Sequence, residues 1–142
     1  NLHGVIGTVA AILPALLAQG HGTIGIVSSV AGYGGLPKAL VYGASKAALI
    51  NFAETLYLDL APRGLGVALI NPGFVRTPLT DRNAFPMPYL ISADEAAAEI
   101  VAGLERGDFE IHFPRAFSRR LKLLRLLPYR WYFAIVRKAT GV

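Results

Sequence analysis

Apolar residues recur with a helical period in three segments of the chain. Spacings of three and four residues predict helices over residues 2–18, 41–60 and 92–104. Pro14 lies in the first segment and predicts a kink or a late turn there. Ser92 opens the third segment with a capping-box pattern, because a glutamate follows three positions later. The apolar stripe of the first segment is broad, so we expect that helix to be covered on more than one side.

Short apolar runs predict strands between these helices. Residues 23–29 and 67–70 are typical of strands buried in a parallel sheet, and residues 109–113 alternate apolar and polar. Residues 77–92 contain three prolines and no sustained period, so we expect a long loop that serves as a lid. Helices that alternate with strands favour an α/β fold with a parallel sheet and helices on both faces.

The composition narrows the class of protein. A chain of 142 residues has the length of one ordinary domain, and its 54% hydrophobic and 16% charged residues argue against disorder. It has no cysteine, which excludes a disulfide scaffold, thiolate zinc ligands and a cysteine nucleophile. The three histidines, His3, His21 and His112, are too scattered to suggest a metal site. We expect His112 to be an ordinary strand residue without a partner.

No segment has the features of a membrane span or a secretory signal. A span needs roughly 18 apolar residues, whereas the best candidate, residues 5–18, is shorter and contains Pro14. The apolar N-terminal stretch lacks a basic leader. We therefore expect a cytoplasmic protein, with association to a membrane surface left open.

The formal net charge of +5 is unevenly distributed. Residues 111–142 contain eight lysines and arginines and no acidic residue, so the rest of the chain carries six basic against nine acidic residues. This split predicts two parts, a slightly acidic body in residues 1–114 and a basic extension in residues 115–142. The extension should form one or two helices interrupted at Pro128.

The basic extension allows three interpretations. It is amphipathic, with an apolar and a basic face at helical spacing. The apolar face comprises Phe117, Leu121 and Leu124, and the basic face Arg115, Arg119 and Lys122. We favour packing on the body or on another subunit over contact with an anionic membrane surface. Nucleic-acid binding is the weakest interpretation, since no recognised nucleic-acid module accompanies the charge.

Tyr42 and Lys46 lie four residues apart on the second predicted helix and therefore share one face. A neighbouring ammonium lowers the pKa of a tyrosine, which suits the pair to exchange a proton with a substrate hydroxyl or carbonyl. Ser29 ends the preceding predicted strand, at the sheet edge where open α/β sheets bind ligands. The spacing Tyr-x-x-x-Lys is weak alone, but the Ser-Ser strand end, the Gly-rich loop and a later Asn-Pro-Gly strengthen it.

In these blocks the sequence resembles the short-chain dehydrogenase/reductase family. The family's active-site block corresponds to IVSSVAGYGGLPKALVYGASKAAL, residues 26–49, and its later cofactor block to NPGFVRT, residues 71–77. The opening NLHGVIGTVAAILPAL is similar to the family's preceding helix. The resemblance extends over residues 1–113. It implies a Rossmann-like parallel sheet, of which this chain holds the C-terminal portion.

The resemblance implies four catalytic roles. Tyr42 would be the acid/base, and Ser29 would orient the substrate oxygen. Lys46 would contact the nicotinamide ribose and lower the pKa of the tyrosine. Asn1 would hold a water in a proton relay. Ser28 is more simply structural.

The resemblance also implies a cofactor, NAD or NADP, bound by Tyr42 and Lys46 and by the segment after the second strand. In that segment Pro72 and Gly73 would lie against the nicotinamide, while Val75 and Thr77 would contact its carboxamide. An alternative for Thr77 is a helix N-cap in a short lid turn. The implied function is hydride transfer between this cofactor and an alcohol or carbonyl substrate. The implied partner is a second copy, through helices 2–18 and 41–60.

Four lid residues allow two interpretations of equal weight. They are Phe85, Met87, Tyr89 and Leu90. They could form an apolar substrate surface, or they could only pack the loop down, because enzyme sites and loop cores use the same residue types.

The family's nucleotide-binding half would precede Asn1 and is not in this sequence. The glycines at 32–35 follow the serine strand and do not form a G-x-G-x-x-G that opens a helix. Without the preceding strands the sheet would expose a buried-type edge. The chain is therefore predicted to be a fragment of a longer enzyme. The alternative is a non-catalytic association or membrane-surface module whose edge a partner covers.

Overall fold

In the described part of the chain, three parallel strands form one sheet and five α-helices accompany it. The computed structural model describes residues 1–78, 80 and 87–141. The strands are β1 (Gly22–Val27), β2 (Leu65–Pro72) and β3 (Glu110–Phe113), and they lie in the order β1-β2-β3. The helices are α1 (His3–Gln19), α2 (Leu40–Leu60), α3 (Ala93–Glu105), α4 (Arg115–Arg125) and α5 (Tyr129–Thr140). The predicted α/β fold with a parallel sheet is confirmed.

The central strand β2 is buried on both faces. Its successive side chains point to opposite sides of the sheet. Val67 and Leu69 join the apolar cluster of α1, α2 and β1, whereas Ala68 and Ile70 join the cluster that α3 covers. This is why residues 67–70 form an uninterrupted apolar run in the sequence, as parallel strands covered by helices do.

The strand β1 has a paired edge and a free edge in the described part of the chain. It pairs with β2 from Gly22 opposite Leu65 to Val27 opposite Ile70. Val27 exposes 53% of its surface, and the helices beside it expose apolar residues as well. Leu58 on α2 is 72% exposed. The unpaired edge of β1 is the edge at which the resemblance predicts further strands.

Local signals in the sequence set the ends of two helices. Ser92 Oγ accepts the Glu95 amide at 3.1 Å, and the Glu95 carboxylate accepts the Ser92 amide at 2.7 Å, which completes the predicted capping box. The helix α1 runs through Pro14 and ends at Gly20, which takes the left-handed conformation common at helix ends. Within the described residues, no helix has both the length and the apolarity needed to cross a bilayer.

A close contact between α3 and β3 leads to a stability prediction. A Cβ built on Gly103 would lie 2.6 Å from Ile111 Cγ1 and 2.7 Å from its Cδ1. We expect Gly103→Ala to lower the free energy of unfolding by about 1–2 kcal/mol, because overpacking outweighs the gain in helix propensity. Urea unfolding of the full-length protein measures this change. Gly4→Ala in α1 is the control, since nothing lies within 4 Å of its Cβ position. Equal stability of the two variants would contradict the prediction.

Candidate active site

The Tyr42–Lys46 pair lies on the first turns of α2, beside the end of β1. Lys46 Nζ is 5.7 Å from the centroid of the Tyr42 ring and donates a hydrogen bond to the carbonyl of Val27 at 3.0 Å. Burial lowers the pKa of Lys46. The Tyr42 side chain is half-exposed. The ammonium is therefore anchored at the strand end, next to a phenol that a substrate can reach.

The two serines at the end of β1 make different contacts. Ser28 Oγ donates to the carbonyl of Lys46 at 2.8 Å, which joins the strand end to α2. Ser29 Oγ accepts the amide of Ala31 at 3.2 Å and donates to the carbonyl of Pro72 at 3.3 Å. Both serines are buried. Ser29 thus connects the carboxyl ends of β1 and β2, and Ser28 has the structural contact expected of it.

The segment after β2 is held by backbone contacts. The Gly73 amide donates to the carbonyl of Phe113 at 2.7 Å, and Val75 forms a parallel bridge with Ile91. Thr77 Oγ1 accepts the amide of Thr80 at 3.3 Å. That contact is the capping arrangement considered as the alternative for Thr77. Pro72 is the last residue of β2 and Gly73 follows it. Both therefore lie at the carboxyl end of the central strand, where ligands of open α/β sheets bind.

Asn1 is a predicted catalytic residue whose contact with the rest of the site is not seen among the described residues. It is exposed and precedes the first turn of α1. Among the described residues, no recorded contact joins it to Ser29, Tyr42 or Lys46. Its role in a proton relay stays a prediction.

A partly buried carboxylate near this site, that of Glu110, was missed by the sequence reasoning. Glu110 Oε1 accepts from Tyr33 Oη at 2.7 Å and from Asn71 Nδ2 at 2.9 Å, and Glu110 Oε2 forms an ion pair with Lys122. Burial alone would raise the pKa of Glu110, but the hydrogen bonds from Lys122, Tyr33 and Asn71 hold it below its ordinary value. Burial and Glu110 raise the pKa of Tyr33, so this phenol stays a donor. The available signal was a glutamate at the second position of the strand predicted over residues 109–113, which is the first residue of β3.

Lys122, on the predicted basic face, forms an ion pair with Glu110 while its side chain stays 38% exposed. The expectation that His112 has no partner was wrong. His112 has a partner, since its Nδ1 lies 2.6 Å from the buried hydroxyl of Ser118. Burial, followed by the positive charge of Lys122, lowers the pKa of His112. Both contacts attach α4 to β3.

Tyr89, one of the four predicted lid residues, packs on α4. Phe117 stacks between Phe74 and Tyr89, with ring centroids 5.8 Å apart on each side. Arg120 donates a hydrogen bond to the Tyr89 hydroxyl. Tyr89 has a φ of 60°, a left-handed conformation that is uncommon for a large side chain. These contacts favour the packing interpretation for Tyr89.

The other lid residues are less informative. Met87 and Leu90 are half-buried. Phe85 lies outside the described residues.

The residues present fit the nicotinamide side of a dinucleotide. They offer an accessible phenol, an ammonium with free N–H groups beyond its bond to Val27, and a Pro-Gly turn at a strand end. The loop between β1 and α2 contains Gly32, Gly34 and Gly35, but in the described residues 1–78, 80 and 87–141 these glycines do not form the G-x-G-x-x-G of a pyrophosphate site. The same described residues contain no cluster of three metal-ligating side chains.

Comparison with known proteins agrees with this arrangement. A family model described as short chain dehydrogenase matches residues 1–85. An uncharacterized oxidoreductase of Myxococcus xanthus is 38% identical over 138 residues, which are 97% of this chain and 54% of that protein. A solved short-chain dehydrogenase from Burkholderia cenocepacia in complex with NADP has a TM-score of 0.81 at 28% identity, over 94% of this chain and 54% of that one.

A second solved structure has a similar fold and belongs to the same family. A short chain dehydrogenase/reductase from Burkholderia phymatum in complex with NAD has a TM-score of 0.73 at 26% identity, over 84% of this chain and 53% of that one. The fold and the site define a Rossmann-like α/β protein with a Tyr-Lys pair at the carboxyl ends of its strands. The chain belongs to the short-chain dehydrogenase family, and it spans about half the length of these relatives.

The charge on Glu110 leads to a prediction about pH. A carboxylate whose folded-state pKa is depressed contributes stability that is present above its unfolded pKa and lost as pH falls through its folded pKa. We expect Glu110→Gln to lower the free energy of unfolding at neutral pH by about 1–3 kcal/mol. This difference from the unsubstituted protein should shrink below about pH 4.

Urea unfolding of both full-length proteins across this range measures the effect. Glu105→Gln is the control, because this exposed glutamate on α3 forms no ion pair with any residue that the structure describes. A stability difference for Glu110→Gln that stays constant into acid would refute the role of its charge.

Proposed function

We propose that the protein containing this chain is an oxidoreductase that transfers a hydride between NAD or NADP and an alcohol or carbonyl substrate. The observation that carries the proposal is the placement of Tyr42, Lys46 and Ser29 at one edge of the parallel sheet. Family membership supports it, as do relatives solved with NADP and NAD. The whole protein's activity is a proposal, because the chain covers about half of its relatives.

Each site residue has a defined task in this proposal. A bound nicotinamide supplies or accepts the hydride. The Tyr42 hydroxyl donates its proton to the substrate oxygen during reduction and recovers it during oxidation. The Lys46 ammonium stabilises the phenolate that forms between these steps. The Ser29 hydroxyl turns from the Pro72 carbonyl to hold the substrate oxygen.

The cofactor contacts follow the strand ends. Lys46 also binds the ribose next to the nicotinamide. Pro72 and Gly73 form the surface under the ring, and Val75 and Thr77 bind the carboxamide. Asn1 holds a water that returns protons to the site.

The substrate is proposed to be apolar and the protein to form a homo-oligomer. Met87 and Leu90, two half-buried apolar residues of the lid, are the basis for proposing an apolar substrate. Exposed apolar residues on α1 and α2, such as Ile6 and Leu58, support contact with a second copy.

The role of Tyr42 leads to a prediction about catalysis. We expect Tyr42→Phe in the full-length protein to lower kcat by about 100-fold to 10,000-fold, because the acid/base is lost. NADH and NADPH oxidation with a panel of alkyl and aryl ketones measures this change. Tyr57→Phe is the matched control on α2, because this tyrosine packs on Phe109, away from Lys46.

Two outcomes would refute the assignment. Retained turnover in Tyr42→Phe would remove Tyr42 from the mechanism. Failure of the unsubstituted full-length protein to bind either cofactor would favour the alternative, a non-catalytic association module.

A second function, contact with an anionic membrane surface, is favoured by the outer surface of α4 and α5. Leu126 and Trp131 are 80% and 62% exposed. In the described part of the chain, Arg130, Arg137 and Lys138 have no ion-pair partner. Cations beside an exposed tryptophan are typical of helices that lie on anionic lipid. We propose that this surface binds the membrane peripherally and that the protein is otherwise cytoplasmic.

Vesicle sedimentation tests this second function. We expect the full-length protein to sediment at low salt with vesicles of phosphatidylcholine and phosphatidylserine, but not with phosphatidylcholine alone. Replacing Arg130, Arg137 and Lys138 by glutamine should weaken binding on the order of 100-fold, since each cation contributes about 1 kcal/mol. Arg63→Gln, at an exposed cation far along the chain, is the control. Absence of sedimentation with either vesicle would exclude the membrane contact.

A further inference from the structure

We propose that Tyr132 and Glu110 are positioning residues of the active site, through which α4 and α5 hold the loop between Ser29 and Tyr42. We call this loop, residues 30–39, the serine loop. The inference rests on the proposed oxidoreductase function, and it gives the basic extension a role within the site.

The first attachment is the Glu110 carboxylate. Its hydrogen bonds join three segments: Tyr33 in the serine loop, Asn71 at the end of β2 and Lys122 on α4. Lys122 Nζ also lies 5.4 Å from the centroid of the Tyr33 ring. Asn71 directly precedes the Pro-Gly turn proposed to meet the nicotinamide. One partly buried carboxylate therefore joins the serine loop to the cofactor segment.

The second attachment is the hydroxyl of Tyr132 on α5. It donates to the carbonyl of Gly35 at 2.7 Å, and the side chain is 3% exposed. The contact is close, because a Cβ built on Gly34 would lie 2.7 Å from Tyr132 Oη. A glycine at position 34 lets α5 approach the backbone of the loop. The serine loop is thus held near its start by Glu110 and further along by Tyr132.

The position of this loop bears on catalysis because its ends are the reacting groups. Ser29 precedes it, and Tyr42 lies in the first turn of the helix that follows. A displacement of about 1 Å in such groups can slow a reaction about 100-fold. Loss of either attachment should therefore act on the chemical step, although neither residue touches the substrate.

Tyr132→Phe isolates the second attachment, because it keeps the buried ring and removes only the hydroxyl. In the full-length protein we expect kcat to fall about tenfold. The KM for the cofactor should stay within about twofold, because the cofactor contacts are kept. The primary isotope effect with 4-deuterated NADPH or NADH should rise, since hydride transfer becomes more rate-limiting.

Tyr129→Phe is the matched control on the same helix. Its hydroxyl contacts Arg125, at 3.2 Å, and it is 59% exposed. We expect neither kcat nor the isotope effect to change in this variant.

A double-mutant cycle tests the first attachment. Glu110→Gln weakens the link to α4 at the carboxylate, and Lys122→Met removes it at the ammonium, so we expect kcat to fall in each single variant. Because both substitutions break the same link, the double variant should lose no more than the larger of the two single losses. Additive losses of kcat would show that Glu110 does not act through its contact with Lys122.

Hydrogen exchange gives a readout that does not need turnover. The amides of Tyr33 and Ala39 donate hydrogen bonds within the serine loop, and the amide of Gly32 donates to the carbonyl of Ser29 just before it. We expect Tyr132→Phe to speed their exchange about tenfold and Tyr129→Phe to leave it unchanged. If the unsubstituted protein shows no oxidoreductase activity, the proposed function is refuted. The exchange rates would still decide whether Tyr132 holds the serine loop. Unchanged exchange in Tyr132→Phe, or faster exchange with unchanged kcat and isotope effect in an active protein, would overturn the positioning role.

Discussion

The fold depends on burying both faces of the central strand β2. A parallel strand alternates its side chains between two faces, and in this sheet both faces are apolar. Val67 and Leu69 need α1 and α2 on one side, and Ala68 and Ile70 need α3 on the other. The connections that bring these helices into place also make the carboxyl ends of all three strands meet at one edge. The candidate site is a consequence of that constraint, because Ser29, Pro72 and Phe113 all lie at or beside this edge.

The same edge carries the polar groups that an apolar sheet would otherwise exclude. A carboxylate that is partly removed from water is stabilised by hydrogen-bonding partners, and Glu110 has three of them. One of these partners, Lys122, comes from the extension that the charge distribution had set apart from the body. Phe117, Ser118 and Tyr132 add apolar and hydrogen-bonding contacts from the same extension. The sequence divides the chain into an acidic body and a basic extension. In the structure these side chains of the extension pack on the body.

Much of the site could be predicted because its residues are adjacent in sequence. Tyr42 and Lys46 are four residues apart on one helix, so the spacing alone places them on the same face. Ser92 and Glu95 lie within one helical turn, so their capping box is also a local feature. The Glu110 cluster has no such local signal. Tyr33 and Glu110 are 77 positions apart, and Tyr132 and Gly35 are 97 apart, so nothing in either segment indicates the other. The pairing of Lys122 with Glu110 was missed for this reason, since a helical period shows which residues share a face but not what that face contacts.

The sequence alone determined the alternation of helices and strands, the parallel sheet, the Tyr-Lys pair and the membership of the short-chain dehydrogenase family. These follow from hydrophobic periods and short motifs, which act through neighbours along the chain. Only the tertiary structure decided how the basic extension contacts the site and how Glu110 is neutralised. It also gave His112 a partner in Ser118. Such contacts depend on how separate elements pack against one another, because a buried charge or hydroxyl finds its partner in space rather than in sequence.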